Sequence, residues 1–130
     1  MKDPEHARLM VAMAGEDLQA IRYMDDPEKF AESVFGFHCQ QAVEKLVKAW
    51  LSMAGVSVPR THDLRALFRL IEDLDAGQVE RFIDLVDLTD YAVQFRYQTP
   101  LDLQPLDRSA LVASIHALYR HVDGLLTAEP

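Results

Sequence analysis

Apolar residues recur at spacings of three and four along most of this 130-residue chain, and no stretch alternates between apolar and polar residues as a half-buried strand would. The last segment shows the pattern most clearly, because its apolar positions fall on one face of a helix. These positions are Leu111, Ile115, Leu118, Val122 and Leu125. The spacing predicts an all-α protein.

Capping residues, proline and glycine indicate where the helices begin and end. Aspartate followed by proline is typical of a helix start, because the carboxylate accepts hydrogen bonds from free backbone N–H groups and proline has no N–H to leave unpaired. Glycine and proline commonly follow a helix end. The predicted helices run from Asp3-Pro4 to about Met24, from Asp26-Pro27 to Gly55, from a cap at Thr61 to about Leu74, from about Gln78 to Val93, and from a cap at Asp107 onward.

The connections between these helices are mostly short, which favours antiparallel neighbours. We therefore expect an antiparallel up-and-down four-helix bundle with an additional short helix, formed by a single domain over residues 1–130. The segment FRYQTPLDLQPL, residues 95–106, has two prolines and no helical stripe, so it is predicted to be a loop.

Cysteine content and hydropathy favour a soluble cytoplasmic protein. Cys39 is the one cysteine, so the chain has no internal disulfide. The N-terminal segment MKDPEHARLM lacks the apolar core of a signal peptide, and no run approaches the roughly 18 apolar residues of a membrane span. Metal-binding and phosphate-loop motifs are also absent, so we expect no cofactor and no metal.

The distribution of charge limits the choice of partners. A formal net charge of -8 argues against broad electrostatic binding to nucleic acid, because such binding depends on neutralising phosphates, and no DNA partner is expected. Residues 33–71 differ from the rest, since they hold five Lys or Arg against two acidic residues. An anion site is therefore expected near the middle of the chain.

The second predicted helix contains FHCQQAVEK, in which a histidine precedes the cysteine. Successive residues on a helix diverge by about 100°, so His38 and Cys39 cannot form a catalytic dyad, and Cys39 is expected in the core. A polar strip on this helix holds His38, Gln41, Glu44, Lys45 and Lys48. We expect this strip to face a partner or ligand.

The apolar arc of the same helix covers more than half its circumference, because Val43, Val47 and Leu51 widen it. Such an arc indicates either a buried central helix or one that also contacts a second subunit. Gln40 lies at the edge of the arc. Its amide needs partners, which a neighbouring helix or a dimer seam could supply.

A carboxylate interrupts the apolar face predicted for the first helix. Asp17 lies among Leu9, Met10, Met13, Ala20, Ile21 and Met24. A buried carboxylate needs a cation or several donors, for which the candidates are Arg96, His62 or a helix-capping backbone. Both a structural ion pair and a catalytic acid remain open for Asp17.

The segment VPRTHDLRALFRL places several basic side chains where the third helix begins. Helix starts favour anions through free N–H groups, so Arg60, His62, Arg65 and Arg69 could contact a nucleotide phosphate. His62 and Asp63 could equally fix the entry to the helix. Arg96 and Tyr97 of the FRYQ segment add a cation and an aromatic ring that could stack on a base.

Four segments together resemble the HEPN domain of prokaryotes, of the type associated with minimal nucleotidyltransferases. They are EDLQA (16–20), FHCQQAVEKLVKAWL (37–51), THDL (61–64) and FRYQ (95–98). The resemblance implies a helical bundle that commonly forms a homodimer and is often encoded with a minimal nucleotidyltransferase as a toxin–antitoxin-like pair. The residues that match the family pattern are Gln41, Glu44, Lys45, His62, Asp63 and Arg96.

Ribonuclease members of that family carry an arginine followed, after four to six residues, by a histidine. Arg96 occupies the matching region, but the positions for the histidine hold Leu101, Asp102 and Leu103. The resemblance therefore implies a binding protein that pairs with a nucleotidyltransferase and binds nucleotide. The alternative is an RNA endonuclease with an atypical site, in which Arg96 stabilises the transition state and His62 or His116 supplies the base.

A third hypothesis makes the chain the substrate of its transferase. The exposed-looking hydroxyl of Tyr97, beside Arg96, is the candidate for modification.

Overall fold

The computed structural model describes residues 2–92 and 105–128, and this part of the chain is helical without any strand. Its elements are α1 (Pro4–Arg22), α2 (Glu32–Met53), α3 (Leu64–Glu80), a 3₁₀ helix (Ile83–Asp90) and α4 (Arg108–Thr127). This confirms the prediction of an all-α helical bundle. The predictions for Arg96, Tyr97 and positions 101–103 lie outside the described residues.

α2 is the central helix of the bundle. α1 and α4 pack against it and against each other, and α3 with the 3₁₀ helix packs on the rest of its surface. Val43, Val47 and Leu51 are fully buried by these neighbours. The wide apolar arc is thus explained within one chain, so it gives no support to a dimer.

α1 begins as predicted but buries a different face. Asp3 Oδ1 accepts a hydrogen bond from the His6 N–H at 3.1 Å, and Pro4 is the first helical residue. Leu9 and Met13, predicted to be in the core, are 58% and 40% exposed. The reason is that a stripe containing small residues lets the neighbouring helices approach closely. The buried stripe is Ala7, Val11, Ala14, Leu18 and Ile21.

The prediction that Asp26-Pro27 opens the second helix is wrong by several residues. The Asp26 carboxylate accepts from the Glu28 N–H at 2.9 Å and caps a short turn, and α2 begins only at Glu32. The end of α2 is close to the prediction, because Gly55 has a φ of 77°, which favours glycine, just after the last helical turn.

The region after residue 61 departs most from the prediction. Asp63 caps α3 through a 3.0 Å hydrogen bond from the Arg65 N–H, whereas Thr61 only shapes the preceding turn. α3 spans Leu64–Glu80, but it is interrupted next to the predicted end near Leu74. Asp75 leaves the helical region, and its carboxylate accepts from the Gln78 N–H at 3.3 Å at the start of the short final part.

A 3₁₀ helix replaces the α-helix predicted from about Gln78 to Val93. Its tighter turn follows from the spacing of the core residues, because side chains three apart lie on one face of a 3₁₀ helix with three residues per turn. Phe82, Leu85, Leu88 and Tyr91 are all buried at this spacing. The segment thus covers α2 with a narrow row of side chains.

Candidate functional site

Glu44 is a buried carboxylate of α2 that binds two of the predicted site residues, Gln40 and His62. Its side chain is 8% exposed. Oε1 accepts hydrogen bonds from Gln40 Nε2 at 3.0 Å and from His62 Nδ1 at 2.8 Å, and Oε2 accepts from Lys48 Nζ at 3.0 Å. The polar strip of α2 was expected to face a partner or ligand, but its member Glu44 is buried against side chains of the same chain.

These donors determine the charge of Glu44. Burial raises the pKa of its carboxyl, but the hydrogen bonds from Gln40, His62 and Lys48 outweigh burial, so the pKa lies below its ordinary value. Glu44 is therefore ionised near neutral pH. Since an ionised carboxylate only accepts hydrogen bonds, His62 must donate through Nδ1.

Gln40 links Glu44 to the loop that precedes α3. Its side chain is fully buried, and its amide also donates to the backbone carbonyl of His62 at 3.3 Å. Gln41 donates to Gln40 Oε1 at 2.7 Å. The partners of Gln40 are thus residues of its own helix and the loop before α3, whereas a neighbouring helix or a dimer seam was expected. Gln40 thus holds the backbone of His62, while Glu44 holds its ring.

His62 is the exposed member of this cluster. Its side chain is 66% exposed, and Nε2 has no hydrogen-bond partner in the described part of the chain. An imidazole held at Nδ1 by a carboxylate has a fixed ring orientation and leaves Nε2 available to a ligand. The arrangement can therefore act as a general acid or base, or as a hydrogen-bonding group for an anion.

A second, separate cluster joins α1 to α2. Asp17 Oδ2 is 2.6 Å from Lys45 Nζ, and Asp17 Oδ1 is 3.4 Å from His38 Nδ1. The side chains of Asp17 and Lys45 are 14% and 17% exposed. The partners expected for Asp17 were different, because His62 is bound to Glu44 and Arg96 lies outside the described residues. Asp17 lies at the edge of the α1–α2 contact, within reach of Lys45.

The remaining residues predicted to bind a ligand lie around the start of α3. Arg60 is exposed and has no ion-pair partner among residues 2–92 and 105–128. Asp63 is used as the cap of α3, and Arg65 Nη2 is 3.8 Å from Asp87 Oδ1 in an exposed pair. The structure thus brings Gln41 and His62 together around Glu44, with Arg60 two residues along the chain, while Lys45 is neutralised by Asp17.

Sequence reasoning missed the roles of Glu44 and Arg108. Gln40, Glu44 and Lys48 recur at intervals of four, and this spacing was the available signal for a buried polar row. Arg108 gave no such signal. Its guanidinium is buried, donates at 2.8 Å to the carbonyls of both Met24 and Phe30, and thereby ties α4 to the segment before α2.

Neither a metal site nor a membrane span is found where the structure describes the chain. The described residues contain no group of His, Cys, Asp and Glu arranged to hold a metal ion. None of the described helices has the length and apolar character needed to cross a membrane.

Comparison with known families identifies the fold that carries this cluster. The HEPN domain matches residues 7–123, which is most of the chain and includes every residue bound to Glu44. The chain belongs to the HEPN family. This HEPN domain is also 29% identical over 103 residues to a protein of Methanocaldococcus jannaschii that is named as a putative toxin.

That alignment covers 74% of the HEPN chain and 66% of the relative, so the chain spans just under two-thirds of the length of the relative. No solved structure gives a significant match.

Proposed function

We propose that this HEPN protein is the helical component of a toxin–antitoxin-like module whose partner is a minimal nucleotidyltransferase. The observation that carries the proposal is the family match over residues 7–123. The M. jannaschii relative, named as a putative toxin, supports the same role. We also expect the protein to form a homodimer, as the family resemblance implies.

Nucleotide binding is the activity that we assign to the start of α3. Arg60 has no ion-pair partner within the described ranges, and His62 offers Nε2 beside it. The α3 N-terminus adds backbone donors and a favourable dipole for a phosphate. Gln41 reaches this group through Gln40, whereas Lys45 would first have to leave Asp17.

Expression in a bacterial host tests the module. The chain produced alone should slow growth, and co-production of the nucleotidyltransferase encoded beside it should restore growth. A catalytically dead transferase variant distinguishes neutralisation by binding from neutralisation by modification. Growth that is unaffected by the chain at high expression would contradict a toxin role. Intact mass after incubation with the transferase and ATP would reveal any nucleotide added to the chain, and loss of that addition in Tyr97→Phe would assign it to Tyr97.

The pairing of Glu44 with His62 favours a second candidate function, RNA cleavage. In this reading His62 transfers the proton, Glu44 orients the ring, and Arg96 stabilises the developing charge. His116 is less suitable as the base, because its Nδ1 lone pair accepts from Arg22 at 2.8 Å, whereas His62 donates through Nδ1 and keeps the lone pair of Nε2.

Purified protein incubated with RNA separates the two candidates. If it is a nuclease, His62→Ala and Arg96→Ala should each abolish cleavage, whereas Arg8→Gln, which removes an exposed arginine of α1, should leave it intact. Cleavage that survives His62→Ala would remove this assignment.

A further inference from the structure

A groove of about 560 Å³ lies between the 3₁₀ helix and the start of α4. Its volume falls within the range of about 300–1,000 Å³ that is usual for small-molecule sites. Several carboxylates line it against one basic side chain, Arg81. They are Asp84, Asp87, Asp90 and Asp107. The groove shares no lining residue with the Glu44–His62 cluster, so the proposed function does not use it.

The geometry of the 3₁₀ helix arranges three of these carboxylates in a row. Side chains three apart lie on one face of a 3₁₀ helix, and each turn rises about 6 Å. The row from Phe82 to Tyr91 faces the core, whereas Asp84, Asp87 and Asp90 form a second row that lines the groove. The backbone thus spaces acidic positions about 6 Å apart along a line.

Most of the negative charge in this row is uncompensated. Asp84 and Asp90 have no ion-pair partner within residues 2–92 and 105–128. Asp87 is 3.8 Å from Arg65, but both side chains are exposed, and such pairs contribute little. The described residues contain no group of acidic side chains arranged to hold a metal ion. Separated carboxylates of this kind suit a linear ligand with several positive charges better than a single metal ion.

Tyr91, which also lines the groove, is a buried residue with an unused polar group. It is 3% exposed, yet its hydroxyl makes no hydrogen bond to any residue that the structure describes. Almost all buried polar groups in proteins have a partner, so this hydroxyl indicates a ligand atom or an ordered water. Gly36 fixes the ring in place, because a Cβ at position 36 would overlap it.

The electrostatic environment of Tyr91 also favours a cation. Burial, and then the negative charges of Glu32 and Asp90, raise the pKa of its hydroxyl. The hydroxyl therefore stays protonated and neutral, and its oxygen can accept a hydrogen bond from an ammonium group. The same negative charges attract such a group.

We propose that this groove binds a linear polyamine, whose ammonium groups contact Asp84, Asp87 and Asp90 and donate a hydrogen bond to the Tyr91 hydroxyl. Short methylene chains separate the nitrogen atoms of such an amine, a length comparable to one turn of the 3₁₀ helix. These methylene groups pack against Leu106 and Leu111, which line the groove. The volume favours a small amine over a basic segment of a partner protein. The site goes beyond the proposed function.

Calorimetric titration of the full chain with spermidine at fixed ionic strength tests this assignment. We expect saturable binding that MgCl₂ of the same ionic strength does not reproduce. Asp90→Asn should weaken spermidine binding by about tenfold, because it removes a hydrogen bond between charged groups. Asp73→Asn is the matched control, since it removes the same charge from an exposed position of α3 that does not line the groove. It should change the affinity by less than about twofold.

Tyr91→Phe separates binding from folding. The hydroxyl has no partner in the free protein, so its removal should leave the urea midpoint unchanged or slightly higher. Spermidine binding should nevertheless weaken by about threefold or more, because the variant loses a hydrogen bond to the ligand.

Four results would overturn the proposal. They are equal spermidine affinity in Asp90→Asn and Asp73→Asn, displacement of spermidine by Mg²⁺ at constant ionic strength, a Tyr91→Phe variant that loses stability but not affinity, and tighter binding of a lysine-rich peptide than of spermidine. The last result would assign the groove to a partner protein. Asp90 is exposed, so its replacement should leave the fold intact, and circular dichroism checks this.

Discussion

The exposed imidazole of His62 is held through Nδ1 by the buried carboxylate of Glu44, 2.8 Å away. The two side chains differ greatly in exposure, at 66% for His62 and 8% for Glu44. Glu44 also accepts from Gln40 and Lys48, whereas the His62 side chain has no other hydrogen bond where the structure describes the chain. Glu44 therefore has the larger structural role, whereas the imidazole of His62 is the group of this pair that solvent or a ligand can reach.

The first prediction follows from this asymmetry. Glu44→Gln leaves buried donors without a charged acceptor, so we expect the free energy of unfolding to fall by about 1–3 kcal/mol. His62→Ala removes one contact of an exposed ring and should cost less than about 1 kcal/mol. Urea unfolding of the two variants measures both values. If His62→Ala costs as much as Glu44→Gln, His62 is a structural residue.

A second prediction concerns the contact between α2 and the end of the 3₁₀ segment. A Cβ on Gly36 would lie only 2.2 Å from Cδ1 of Tyr91, whose side chain is buried. Gly36→Ala should therefore lower the free energy of unfolding by about 1–3 kcal/mol through overpacking. Gly124→Ala is the control, because no atom lies within 4 Å of its added Cβ and a helical alanine should instead stabilise by up to about 1 kcal/mol. Equal stability of the two variants would contradict the packing described.

Acid sensitivity should depend on His121, which packs against Trp50 at 4.6 Å between ring centroids. Burial, and then the charge of Arg81, lower the pKa of His121, whereas Asp75 acts in the opposite direction. The unfolded chain consequently binds more protons at His121 than the folded protein does. The contribution of His121 to the free energy of unfolding is therefore complete above about pH 6.5 and is lost as the pH falls.

His121→Gln should therefore flatten the decrease in stability between pH 7.5 and 5, as measured by urea midpoints. Glu44 cannot account for this range, because its lowered pKa makes its contribution disappear only below about pH 4.3. If stability depends on pH just as steeply in His121→Gln as in the parent protein, groups other than His121 cause the acid sensitivity.

Cys39 should be inert in the folded protein. It is fully buried, and burial is the main cause that raises the pKa of its thiol to about 12. We expect no reaction with a thiol-specific disulfide reagent under native conditions and rapid reaction in urea, since the thiolate is the reactive form. Fast labelling of the folded protein would mean that the core opens around α2.

The helices at the two ends of the chain were predictable because local chemistry determines them. Asp3 and Asp107 accept backbone hydrogen bonds at their own helix starts, and Gly55 has the positive φ that its position requires. The buried face of α1 was not predictable from hydrophobicity alone, since close helix packing selected Ala7 and Ala14 over the larger Leu9 and Met13. The spacing of three from Phe82 to Tyr91 was visible but was interpreted as an α-helix.

The candidate site was only partly predictable for a similar reason. Gln41 and His62 were both predicted to bind a ligand, yet the side chains that link them are the buried Gln40 and Glu44. Asp17 needed a cation, and its choice of Lys45 depends on how α1 lies across α2. The pairing of such side chains depends on the distances between helices. The spacing of residues along a single helix gives no information about those distances.

Light scattering during size-exclusion chromatography of the chain co-expressed with its neighbouring nucleotidyltransferase tests the central claim most directly. We predict a single peak that contains both proteins, with a mass equal to the sum of whole numbers of the two chains. The same peak is expected for His62→Ala. Elution of the HEPN protein separately from the transferase at high micromolar concentration would contradict the claim.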